Sequence, residues 1–181
     1  CAMIYAQAGS SPYQAIVAVD GSGDYKTVQE AINAVPDGQT KPWLILIKNG
    51  LYNEQVIIPK NKPYVHLIGQ DKDKTIIYLN LNVGSKLTGK EIGGKTAYWE
   101  HSVHNPSSPV YKYEGSVVVV KGDHFYTENI SYVNDWGVLS DNGPQALAMN
   151  SQADCASFYN CKFRSFQDTW MTANNDVSRH Y

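Results

Sequence analysis

Charge is scarce and evenly split. Asp, Glu, Lys and Arg make up 18% of the 181 residues, with 15 basic against 17 acidic side chains and a formal charge of −2. The basic excess of a nucleic-acid binder is therefore missing. No apolar run approaches the length needed to span a membrane. Cysteine is rare: Cys1, Cys155 and Cys161 are all there is. If most of the stretch from Cys155 to Cys161 is strand, the two stand too far apart to bridge. Buried free thiols and no disulfide framework are expected. Metal-ligand clusters are lacking too, since His101 and His104, near Glu100, have no Cys or carboxylate set beside them. There is no Gly-x-Ser-x-Gly elbow and no phosphate-cradling glycine loop, which leaves Ser-His-Asp and nucleotide chemistry unsupported.

Helix signals are few. Thr27-Val28-Gln29-Glu30 has the capping-box pattern, and Val28, Ala31, Ile32 and Val35 follow at helical spacing until Pro36-Asp37-Gly38. Almost everything else reads as short strands. Apolar runs begin at Ile16, Trp43, Val56, Val65, Thr75 and Val117, with Gly69, Gly84, Gly115 and Gly122 between them. Such runs suit strands buried on both faces or parallel pairing. Parallel strands without crossover helices point to a β-solenoid, with a β-sandwich as the competing architecture. An internal echo favours the solenoid: Phe125-Tyr126-Thr127-Glu128-Asn129-Ile130-Ser131-Tyr132 resembles Ser157-Phe158-Tyr159-Asn160-Cys161-Lys162-Phe163. Aligning Asn129 with Asn160 sets an offset that falls within the range of one solenoid coil.

Residues 80–115 hold Gly89, Gly93, Gly94, Pro106 and Pro109 with few apolar runs, and are expected to leave the solenoid as a long excursion. Residues 1–8 end in Ala6-Gln7-Ala8, a signal-peptidase type of site, and read as the remnant of a signal peptide. The expected domain therefore covers residues 9–181. Its end, Arg179-His180-Tyr181, reads as the start of a further strand.

The polar residues with chemical potential are amides and a carboxylate. Gln145 opens the small-residue strand Ala146-Leu147-Ala148-Met149, and Gln167 and Asp168 stand together between Phe166 and Trp170. Along a strand Gln167 and Asp168 would face opposite ways, whereas at a coil corner both can line one surface. A Gln amide can stabilise an oxyanion, and an Asp among aromatics can serve as a general acid. Structural polar residues at coil corners are the competing reading.

Several separated motifs, in order, resemble the pectin methylesterase (pectinesterase) family. Val19-Asp20-Gly21-Ser22-Gly23-Asp24-Tyr25-Lys26-Thr27-Val28 is similar to its opening strand and cap helix. Gly50-Leu51-Tyr52-Asn53-Glu54 matches its Gly-x-Tyr-x-Glu motif. Gly143-Pro144-Gln145-Ala146-Leu147-Ala148 resembles its Gln-Ala-Val-Ala-Leu block, and Gln167-Asp168-Thr169 its Gln-Asp-Thr-Leu block, with Trp170 in place of Leu. The resemblance implies an all-β, right-handed parallel β-helix with a short N-terminal cap helix, incomplete at its C-terminal end.

It also implies an aspartyl esterase that removes methyl esters from the galacturonate units of pectin. Gln145 and Gln167 would form the oxyanion hole and Asp168 would be the general acid/base. Trp170, Trp136 and Tyr52 are candidate substrate contacts, though Tyr52 and Glu54 also read as structural. The family's nucleophilic Asp, from an Asp-Phe-Ile-Phe-Gly type motif, and its positioning Arg are absent from these residues. Asp176 sits in a turn-like Asn174-Asn175-Asp176 and is not assigned to the role. The chain alone is thus expected to be inactive. No metal or organic cofactor is implied. Pectin is the expected partner, with no nucleic acid and no membrane span, and the complete protein is expected to be monomeric and secreted. The short lead into the first motif favours a microbial source. A pectate lyase and a non-catalytic pectin-binding β-helix are the rival readings.

Overall fold

The computed structural model of the chain describes residues 11–79, 116–135, 146–172 and 179, and the backbone of 91–92 and 95–96. β1 (Ala15–Val17) leads through a turn to α1 (Val28–Ala34). Next come β2 (Trp43–Ile47), β3 (Gly50–Asn53), β4 (Val56–Ile58), β5 (Val65–Gly69) and β6 (Thr75–Leu79). Between residues 79 and 116 the described part is a small antiparallel pair, β7 (Glu91–Ile92) and β8 (Lys95–Thr96). β9 (Ser116–Val120), β10 (Tyr126–Glu128), β11 (Ser131–Asn134), β12 (Leu147–Ser151), β13 (Ser157–Tyr159), β14 (Lys162–Arg164) and β15 (Trp170–Thr172) follow.

Apart from that small hairpin and the β1–β2 pair, consecutive strands do not pair with one another. Sheet A runs β1-β2-β5-β10-β13, sheet B β14-β11-β6-β3, and sheet C β15-β12-β9-β4, with parallel pairing throughout. Each full turn of chain therefore lays one strand in each sheet, and the result is a right-handed parallel β-helix. β6 and β9 belong to the same coil; most of residues 80–115, expected as a long excursion, lies outside the described residues.

Stacking sets the core. The column Ala15, Ile45, Leu67, Thr127, Phe158 points inward from sheet A. Tyr52, Ile77, Tyr132 and Phe163 do so from sheet B. Val56, Val118, Met149 and Trp170 do so from sheet C. The buried apolar members of these columns belong to one hydrophobic cluster. The sequence echo is literal stacking: Tyr126 pairs with Ser157 and Tyr132 with Phe163, at the same offset that separates Asn129 from Asn160. Between these strands Asn129 and Asn160 both turn the corner in the left-handed region, at φ 56° and 47°, which Asn tolerates better than most residues. The Asn160 Nδ2 donates to Asn129 Oδ1 at 2.7 Å, one coil to the next.

Both ends of α1 are held by the second coil. Four N–H groups at a helix start lack intrahelical acceptors. Here Thr27 N–H donates to Glu30 Oε2 and Glu30 N–H to Thr27 Oγ1, which is the expected capping box. Val28 and Gln29 N–H donate to Glu54 Oε1 and Oε2 at 2.9 and 3.0 Å. At the other end the buried Lys62 ammonium donates to the carbonyls of Val35 and Asn33 and to Asp37. These charges match the helix polarity at both termini. Gln29 also supplies strand-like pairing to β4, accepting from Ile57 N–H at 2.6 Å and donating to Ile57 O at 3.1 Å. It thus occupies a sheet edge that would otherwise invite pairing with another chain.

Candidate active site

Gln167 and Asp168 lie in the corner between β14 and β15, and both are exposed. Asp168 is in the left-handed region at φ 54°. That kink breaks the alternation of a strand and lets neighbouring side chains share the outside of the corner. The corner is tied to the coil before it through the carbonyls on either side of Asp168. Ala146 N–H donates to Gln167 O at 3.1 Å, and Ala148 and Met149 N–H donate to Thr169 O at 3.0 and 3.1 Å. Ala146 follows Gln145 directly in the chain, so the backbone leading into β12 runs beside the Gln167–Asp168 corner. Gln145 itself lies outside the described residues. Within the described residues neither the Gln167 amide nor the Asp168 carboxylate makes a side-chain hydrogen bond, so both are available to a ligand. Ser165, and Thr169 of the Gln167-Asp168-Thr169 block, flank the pair. The Ser165 hydroxyl donates to Thr169 Oγ1 at 2.9 Å and lies 3.5 Å from Gln167 O. Two hydroxyl residues four apart around a Gln-Asp pair were the signal that could have drawn attention to them.

Two expected substrate contacts require correction. Tyr52 is only 2% exposed and points into the lumen from β3. Its hydroxyl donates to the Lys48 carbonyl at 2.8 Å, and burial pushes its pKa above the ordinary range. It is a core residue, with its polar tip bonded as a buried hydroxyl requires. Trp170 also faces inward, because β15 stacks it on the fully buried Met149. Its ring meets Phe158 and Phe163 edge-on, at centroid distances of 4.5 and 4.7 Å. Among the described residues the last inward rung of each sheet is therefore aromatic, and Trp170 belongs to this rung instead of standing beside Asp168 on the outside. Trp136, the third candidate contact, lies outside the described residues. The Gly-x-Tyr-x-Glu block is structural in both members: Tyr52 fills the core and Glu54 caps α1.

The thiols also differ from expectation. Cys155 and Cys161 are free, yet both are half-buried instead of buried. Cys155 turns a corner at φ 55°, and Cys161 packs at the edge of the core. A further corner contact comes from Arg179, whose Nε and Nη2 donate to Asp154 at 3.0 and 2.8 Å and hold that carboxyl well below the usual range. Among the described residues no group of His, Cys, Asp and Glu could hold a metal ion, and His101 and His104 lie outside them. No helix among them is long and apolar enough to cross a membrane.

Comparison with known proteins places this geometry in context. The family model described as Pectinesterase matches residues 14–176. A probable pectinesterase/pectinesterase inhibitor of Arabidopsis thaliana is 37% identical over 166 residues, 92% of this chain and 25% of that protein. A pectinesterase of Petunia integrifolia is 36% identical over 163 residues, 90% of this chain and 37% of its own length. The solved pectin methylesterase from carrot superposes with a TM-score of 0.69 at 28% identity, covering 91% of this chain and 44% of the other. The chain thus spans between a quarter and a half of the length of these relatives. A family match through most of the chain, a parallel β-helix and a Gln-Asp pair on an exposed coil corner agree, and the chain belongs to the pectinesterase family.

Proposed function

We propose that this chain is the N-terminal part of a secreted hydrolase that removes methyl esters from pectin by an aspartyl esterase mechanism. The observation that carries the proposal is the Gln167–Asp168 pair, exposed on a corner that is fixed through both flanking carbonyls. In this reading a nucleophilic Asp, supplied by chain beyond Tyr181, attacks the C6 ester carbonyl of a galacturonate unit. The Gln167 amide, with that of Gln145, donates to the oxygen as it gains negative charge. Such donors act most strongly when positioned in advance, and removing one typically costs ~10²–10³ in rate. Asp168 enters protonated and gives its proton to the departing methanol. It then takes a proton from the water that opens the acyl-enzyme, and so returns to its starting form.

Methanol release from methylated pectin by the full-length protein tests the reading. Asp168→Asn keeps the shape of the side chain but cannot cycle a proton. It is expected to collapse turnover while leaving pectin binding largely intact; near-normal turnover would reject the acid/base role. The 181 residues alone are expected to release no methanol, and release would overturn the assignment of the nucleophile to chain beyond them.

A further inference from the structure

An exposed corner has no packing to hold it, so something else must keep Asp168 in place. The corner is tied to its neighbouring coil at Gln167 O and Thr169 O, on either side of Asp168, while the Asp168 side chain is bonded to no described residue. Asp168 also occupies the left-handed region, at φ 54°, which Asp adopts more readily than most residues but which is sparsely populated without support from its surroundings. The contact that closes the corner on itself is the Ser165 hydroxyl, donating to Thr169 Oγ1 at 2.9 Å. That bond encloses Phe166, Gln167 and Asp168. Both hydroxyl residues are half-buried, whereas Gln167 and Asp168 are exposed.

We infer that Ser165, through Thr169, is a positioning residue for Asp168: the hydroxyl pair is a clasp that holds the corner in the conformation from which the carboxyl group reaches substrate. The inference rests on the acid/base reading of Asp168. The clasp touches no substrate, so it acts on turnover and not on binding. Losing one intramolecular hydrogen bond is expected to lower kcat about tenfold with KM within about twofold. Thr169→Val removes the acceptor and should match Ser165→Ala. Thr169→Ser keeps the oxygen and should restore wild-type turnover. The double variant Ser165→Ala/Thr169→Val should be no worse than Ser165→Ala alone, because that single change already removes the Ser165–Thr169 bond together with the longer contact to Gln167 O.

The test is made on the full-length protein with two readouts. Amide hydrogen exchange of the peptide containing residues 165–170 reads the clasp without using activity, and methanol release reads its consequence. Faster exchange confined to that peptide in Ser165→Ala and Thr169→Val, with a tenfold loss of kcat and rescue by Thr169→Ser, supports the inference. Unchanged exchange in both variants overturns the clasp. Faster exchange with unaltered kcat overturns the positioning role. Asp168→Asn run in parallel separates the two levels, because normal turnover in that variant refutes the catalytic reading whatever the clasp variants do.

Discussion

Glu54 offers the sharpest stability test. Its carboxylate accepts from Val28 N–H at 2.9 Å and Gln29 N–H at 3.0 Å, so it alone satisfies the donors at the first two positions of α1. Thr27 and Glu30 satisfy each other's N–H groups beside them. Glu54→Ala strands both donors in a partly buried place. Hydrogen bonds to charged groups contribute about 1.5–3 kcal/mol each, and water reaches this site in part, so the lower end applies and a loss of about 3 kcal/mol is expected. Glu54→Gln keeps one acceptor oxygen and forfeits the charge that complements the helix N-terminus, so it should lose about half as much. Thr27→Ala removes one bond and serves as the reference, at about 1 kcal/mol. Urea denaturation of the full-length protein, followed by circular dichroism, measures all three. A loss under about 1 kcal/mol for Glu54→Ala, or equal losses for the Ala and Gln variants, would refute the donor accounting.

Other expectations follow from the corners and the outer face. A Cβ on Gly69 would stand 2.2 Å from Asn129 O, a backbone atom that cannot move aside, so Gly69→Ala should destabilise by about 2–3 kcal/mol in the same denaturation assay. Gly38 has open space around it but φ +67°, so Gly38→Ala should cost only about 1 kcal/mol; equal losses at both sites would refute the close approach. On the outer face of sheet A the His66 and Tyr126 rings lie 5.2 Å apart, and both favour the uncharged form. Burial, then the hydrogen bond to Glu128, pushes the Tyr126 phenol up to about 12 from 10.0, so its contribution to stability is complete below pH 10 and lost as pH rises through 12. Tyr126→Phe should therefore lose less stability over that alkaline window, in titrations at fixed urea. Burial lowers the His66 pKa from 6.5, so its contribution is complete above that value and lost on acidification. His66→Phe should flatten the acid limb, and an unchanged limb would contradict the burial.

Much of the architecture is legible in one dimension. Apolar runs between turn residues mark β2, β5, β6 and β9, although of these only β9 is buried along its whole length and the outward residues of β2 and β6 are half-buried. Thr27 and Glu30 announce the start of α1 because a cap is a local device. The Asn129–Asn160 echo reveals one coil length, since stacked corners place like demands on like positions. Other coils hide from such a search. β2 comes into register with β5 over a short stretch of chain, Trp43 to Val65, whereas β5 to β10 takes far more, His66 to Tyr126. Excursions of unequal length between strands erase a fixed period.

By itself, the sequence determined the family, the strands, the cap helix and the Gln167–Asp168 pair. It did not determine which way side chains face. When both sides of a strand are apolar, alternation carries no direction, so Tyr52 and Trp170 read as surface contacts until stacking on Ile77 and Met149 turned them inward. Only the tertiary structure assigned Glu54 to the start of α1, because the two hydrogen bonds join residues distant in the chain. Only it set Ala146 beside Gln167, which arrives there after the chain has gone round the coil. The physical reason is common to these cases. Runs and caps are written in neighbouring residues, whereas contacts between coils depend on how much chain each coil spends before it returns.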